Sequence, residues 1–318
     1  MLVIASILVA WLVVTALLLG RQVATLRALW REPMLTRPVL IVESDDWGPG
    51  PAADAAMLER IHHLLAGYRD AEGRPAVMTL GVVLGKSDGA AILASDCQAY
   101  HRNTLAEARY ASIVEAIRAG CAEGVFALQR HGLEHCWPTS LLSRACGDEG
   151  LRRWLADPDA RSEALPSALQ SRWADTSSLP STPLQAEAVA AAVAEEQALF
   201  ASLFGQAPSV AVPNTFVWND TVERAWAATS ERCVPSCGRQ FYGRAAGGGL
   251  MPPKRVIRNG ERGVGDVRYV VRDAYFEPIR GHRAEQVWEA VAQRTVLARP
   301  TLVETHRERF IARSIADS

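Results

Sequence analysis

Positions 2 to 19, from Leu2 to Leu19, carry no charge and are almost wholly apolar. A helix rising 1.5 Å per residue over that run reaches about 27 Å, close to the hydrocarbon thickness of a bilayer. No basic residue precedes the run, whereas Arg21, Arg27 and Arg31 follow it with only Glu32 against them. The pattern predicts a transmembrane anchor over residues 1–20 rather than a cleaved leader. The cations behind it lean the following domain toward the cytoplasm and leave the periplasmic side open. Residues 21–36 read as a juxtamembrane helix plus linker, and a single domain is expected over 37–318.

Beyond the linker, apolar runs of strand length alternate with segments of helical periodicity. Val39 to Val42 is a short β-branched run bounded by Pro38 and by Asp45-Asp46-Trp47-Gly48-Pro49, which reads as a buried strand delivering acids at its C-terminal end. Helices are expected over 54–66, 106–119, 184–204 and 220–229. Further strands are expected over 76–84, 124–129, 208–212, 268–272 and 301–304. Such alternation predicts a parallel α/β sheet or barrel, in which groups at the C-terminal ends of the strands converge on one face. Asp45 and Asp46 follow the first strand, His131 follows the third, and His306 follows the last.

Composition narrows the function classes. The 318 residues are 49% hydrophobic, ample for a core, and the formal net charge is -1. A nucleic-acid binder needs a basic face, so no nucleic-acid partner is expected, and neutral or small polar substrates fit better. The six cysteines form no paired zinc ladder. Cys233 and Cys237 are compatible with a disulfide or with two packed thiols. The run Ala245-Ala246-Gly247-Gly248-Gly249 lacks the strand-to-helix setting of a phosphate loop and reads as a flexible loop.

The candidate chemistry lies in two short motifs. Two adjacent carboxylates behind a buried strand repel one another unless a cation offsets them. His131 and His135 are four positions apart, a spacing that can bring two imidazoles to one metal. Asp46 with both histidines would make a three-ligand site with positions left for water and substrate, as catalytic sites have. Zinc suits such a set, and other first-row divalent ions compete for it.

These residues resemble a known family. Val39-Leu-Ile-Val-Glu-Ser-Asp-Asp-Trp-Gly48 is similar to the first motif of polysaccharide deacetylases of the nodulation-protein-B type, carbohydrate esterase family 4. His131-Gly-Leu-Glu-His135 resembles their second motif, and Leu302-Val-Glu-Thr-His306 their late histidine motif. The resemblance, to a divergent bacterial branch, covers about residues 37 to 310. It implies an irregular (β/α) barrel of about seven strands in a protein of the bacterial inner membrane. Asp46, His131 and His135 would hold the metal, Asp45 would be the base that deprotonates the metal-bound water, and His306 the acid that protonates the departing amine. The implied substrate is an N-acetylated glycan or lipid-linked sugar. The third motif departs from the pattern: Ala211-Val-Pro-Asn-Thr-Phe-Val-Trp218 keeps Pro213 but has no arginine, and Arg272 is the candidate replacement beside Asp45.

Two rival readings stand beside this one. His131-Gly-Leu-Glu-His135 also fits the inverted zinc-peptidase pattern, with Glu134 as base, although Gly132 and Pro138 are poor for the helix that pattern needs. The other is an inactive membrane-tethered glycan-binding or assembly module. Trp47, Trp137 and Trp218 are candidates for stacking on sugar rings or for the core. Glu43 and Glu134 are candidates for orienting a ligand imidazole, and His62 and His63 are expected on a helix surface.

Overall fold

The structure, a computed structural model, describes residues 2–311. The uncharged start forms a helix, Leu2–Arg21, which is long and apolar enough to cross a membrane and has no buried residue over Val3–Arg21. A second helix, Val23–Trp30, follows and also buries no residue.

Strands β1 (Leu40–Trp47), β2 (Met78–Val82), β3 (Phe126–Arg130), β4 (Cys233–Ser236), β5 (Arg268–Val271), β6 (Ala274–Tyr275) and β7 (Thr301–His306) carry the parallel pairing. A five-stranded parallel sheet forms the centre in the order β6, β7, β1, β2, β3. Parallel neighbours need long crossovers. These are supplied by the helices Ala52–Ala66 between β1 and β2, Ala111–Ala122 between β2 and β3, and Ala284–Val296 between β6 and β7. Beyond β3, single parallel bridges join Arg130 to Ala211 and Val210 to Cys233, and β4 then pairs with β5. The chain leaves β5 through Arg272, whose N–H donates to the Ser236 carbonyl, and Asp273, whose N–H donates to the Leu302 carbonyl, before entering β6.

The main core lies between the sheet and its helices. Helix Ala111–Ala122 buries Ile113, Val114, Ala116, Ile117 and Gly120, one stripe at helical spacing, against Leu80, Phe126 and Phe200. Each such Leu, Ile or Phe contributes about 1.5–3 kcal/mol when fully buried. Gly120 is required here, because a Cβ would lie 2.1 Å from the Phe126 ring. A second core gathers Val189, Val193, Trp218, Val222 and Tyr269 around Trp173 and Trp226, whose rings meet edge to face at 5.7 Å.

Several expectations need correction. β1 does not end at Val42: its pairing with β7 runs on from Leu40 opposite Thr301 to Asp45 opposite His306. Residues 208–212 give only the two bridges, since Pro208 and Pro213 have no N–H for a ladder. Strand β4, which contains Pro235, and the helices Pro138–Ala145 and Glu149–Ala156 fall outside the sequence expectations. Trp47 and Trp218 are fully buried, their indole N–H groups donating to Ser44 Oγ and Glu223 Oε1, so neither faces a sugar. Trp137 is half-buried beneath the Arg172 guanidinium. His62 is buried, with Nε2 2.9 Å from Glu123 Oε2, rather than on the helix surface.

Candidate metal centre

An ordinary strand points successive side chains to opposite faces, which would separate Asp45 from Asp46. A bulge prevents this. Ser44 pairs with Leu80 and Trp47 with Val82, so three steps along β1 face two along β2. The extra residue is taken up at Asp46, which sits in the left-handed region at φ 70°. Both carboxylates consequently line one cavity of about 590 Å³, together with His131, His135, Arg272 and His306. Gly81 on β2 makes room for the first of them, because a Cβ there would lie 2.2 Å from Asp45 Oδ1.

Three ligand atoms converge beside the bulge. Asp46 Oδ1 lies 2.9 Å from His135 Nε2 and 3.3 Å from His131 Nε2, and the two Nε2 atoms are 3.1 Å apart. All three residues are buried. His131 Nδ1 is 3.1 Å from the Val212 carbonyl, which can only accept, so Nδ1 carries a proton and Nε2 is the nitrogen left to face Asp46 and His135. Burial disfavours charge on Asp46, but His135 and His131 outweigh it and hold the carboxyl well below the usual range. Apart from these contacts Asp46 Oδ1 has no hydrogen bond among the described residues. Ligand atoms about 2.0–2.1 Å from a tetrahedral ion stand about 3.3 Å apart, so the spacing, burial and donor set fit one divalent transition ion.

Loop geometry sets the second histidine. The segment after β3 is not helical: Gly132 has φ 98°, and the Asn214 side-chain amide donates to the His131 carbonyl at 2.9 Å. A Cβ at Gly132 would lie 2.8 Å from the Glu134 carbonyl oxygen. Glu134 is engaged elsewhere, receiving Arg172 Nη1 at 2.6 Å and Tyr100 Oη at 3.2 Å, with Arg102 Nε at 2.6 Å. It neither orients an imidazole nor joins the three-atom cluster, and the helix that the inverted-peptidase pattern needs is absent over 131–137.

Arg272, from the turn between β5 and β6, is buried against Asp45 with two bonds, Nη1 to Oδ2 at 2.5 Å and Nη2 to Oδ1 at 3.1 Å. Its Nε donates to Glu43 Oε2 at 2.5 Å, so Glu43 orients the arginine and not a ligand imidazole. Burial pushes Asp45 up, but Arg272 and His131 outweigh it and leave its pKa below the ordinary value. Burial raises Glu304, beside them, to about 7.

His306, half-buried at the end of β7, is held by Glu277, with Nδ1 2.5 Å from Oε1. Burial disfavours the imidazolium, but Glu277, Asp46, Asp45 and Glu304 together outweigh it and raise the pKa to about 10. Arg309 pairs with the other oxygen of Glu277. Glu277 and Glu304 were not singled out from the sequence as site residues. Glu304 sits two positions before His306 on the same strand, the one signal that could have found it.

The sequence matches no protein-family model and no curated protein. Among solved structures the chain is similar to a family 4 carbohydrate esterase from Streptomyces lividans in complex with acetate (11% identity, 87% of this chain and 84% of that one, TM-score 0.37). It is similar to a family 4 acetyl xylan esterase from Clostridium thermocellum in complex with a cobalt ion (11%, 88% and 80%, TM-score 0.38). A 4-alpha-glucanotransferase from Thermococcus litoralis also matches (8%, 86% of this chain but 34% of that one, TM-score 0.39). At these identities and scores no residue role is carried across. The two esterases belong to the family that the Asp-Asp and His-X-X-X-His motifs resemble.

Proposed function

We propose that residues 37–318 form a metal-dependent deacetylase domain, tethered to the membrane by its first helix, that removes N-acetyl groups from a glycan or lipid-linked sugar. The observation that carries the reading is the convergence of Asp46, His131 and His135 beside an Asp45 gripped by Arg272. The bridges at 210–211 and the run from β5 into β6 support an irregular barrel of about seven strands with the site at its C-terminal mouth.

A divalent ion held by Asp46, His131 and His135, zinc being our choice, would acidify water and polarise the acyl carbonyl. Asp45 accepts the proton of the attacking water, and Arg272 holds its carboxylate in one orientation. His306 donates a proton from Nε2 to the amine nitrogen as the C–N bond breaks, while Glu277 fixes its ring through Nδ1. The products are acetate and the free amino sugar. Arg272 gives Asp45 the arginine partner that the motif Ala211 to Trp218 lacks, which favours the active reading over the inactive module.

The test is elemental analysis of the full chain in detergent, beside Asp46→Ala and His131→Ala, with acetate release from N-acetylated glycans measured in parallel. The reading expects about one ion per chain, as a single three-ligand site holds, lost with acetate release in both variants. A folded wild type that binds no metal would overturn it.

A further inference from the structure

The segment after the first two helices is seated on the domain rather than hanging free. Glu32 pairs with Arg299 and accepts from Asn259 Nδ2 at 3.1 Å, and its side chain is only 7% exposed. Leu35 N–H donates to the Ala298 carbonyl at 2.7 Å, and Thr301 N–H to the Val39 carbonyl at 2.9 Å. Pro33 lies over Gly260 so closely that a Cβ there would sit 2.4 Å from its ring. These contacts attach the apolar helix at the N-terminal ends of β1 and β7.

The candidate metal ligands lie at the other ends of the strands. From Leu40 to Asp46, at about 3.3 Å per residue, is roughly 20 Å, and Leu35 joins the domain at Ala298, before β7 begins. The end that carries the anchor also exposes apolar side chains: Trp30 is 90% exposed, Met34 78%, Val296 86% and Leu297 52%. Apolar groups beside a basic juxtamembrane helix suit the bilayer interface, whereas the more exposed residues lining the cavity, Arg280, His282, Glu308 and Arg309, are polar or charged.

We infer that the domain stands on the bilayer through its N-terminal strand face and opens its cavity away from the membrane, so that its substrate is a glycan standing off the bilayer rather than the sugar of a membrane-embedded lipid. The inference rests on the anchor and deacetylase readings. Of the two substrate classes raised by the motifs, it selects the first.

The full chain, in nanodiscs of phosphatidylcholine and phosphatidylglycerol carrying a rhodamine headgroup acceptor, tests this. A fluorescent amino acid is placed at the position of Val296 or of Arg280, so that the native cysteines do not interfere. Strong energy transfer from position 296 and weak transfer from position 280 is the expected result. Transfer from 280 equal to or above that from 296 would overturn the orientation, and none from either would overturn the anchor and the inference with it. In discs carrying the unlabelled wild type, acetate should be released from a soluble N-acetylglucosamine oligomer and not from a bilayer-embedded N-acetylglucosaminyl lipid, and the reverse preference would overturn the substrate class. Acetate from neither would defeat the deacetylase reading and the substrate class, while the two transfer efficiencies still decide the orientation.

Discussion

Arg272 and Asp45 meet across 227 positions of sequence in a buried two-bonded pair, Nη1 to Oδ2 at 2.5 Å and Nη2 to Oδ1 at 3.1 Å. A bidentate guanidinium fixes a carboxylate in both position and plane, which a lysine cannot do. The pair thereby gives Asp45 one orientation beside the cluster of Asp46, His131 and His135.

Arg272→Ala should leave Asp45 and Glu43 buried without their counter-charge. Removing one partner of such a pair costs about 3–5 kcal/mol, readable as a lower urea midpoint. Arg272→Lys should recover much of that stability but little of the activity, with metal content unchanged. Full activity in the lysine variant would count against a positioning role.

Gly81→Ala puts a methyl group 2.2 Å from Asp45 Oδ1. Overpacking of this kind costs about 1–3 kcal/mol. If Asp45 is the base, as proposed, its displacement should lower kcat with little change in KM or metal content, which steady-state kinetics and elemental analysis separate. An unaltered kcat would show that Asp45 tolerates displacement and is not the base.

Metal should stabilise the fold by linkage, since the three ligand atoms are assembled only in the native state. A ligand at a thousand times its Kd adds about 4 kcal/mol. Chelator should therefore lower the melting temperature of the wild type and leave Asp46→Ala unmoved. Equal shifts in both proteins would place the metal elsewhere.

Glu277→Gln should lower the pKa of His306 from its raised value of about 10 toward the ordinary 6.5, because the carboxylate that stabilises the imidazolium is gone. The sign for stability follows from a folded-state pKa above the unfolded one. The Glu277 contribution is fully present below pH 6.5 and is lost as pH rises through about 10. Imidazole resonances followed by NMR across that range check both statements, and an unchanged titration in the variant would disprove the coupling.

Much of the site is legible in the sequence because its parts are local. An apolar run ending in Asp45-Asp46 reads as a strand with acids at its exit, and His131 and His135 are four apart whatever surrounds them. Arg272 could be named as a candidate, but nothing local tied it to Asp45. Glu277 gave no signal, since its pairing with His306 spans 29 positions and belongs to a different element.

The sequence by itself determined the apolar first helix, the order of most strands and helices and the two motifs, because these depend on the spacing of side chains along a few turns or strand residues. Tertiary structure alone decided that Asp45 and Asp46 share a cavity, since the bulge exists only where β1 has β2 as its neighbour. It also decided that Trp47, Trp218 and His62 are buried and that Glu134 serves two arginines. In each case the outcome depends on which distant surface closes over the side chain, and a linear pattern carries the period of an element but not the identity of its neighbour.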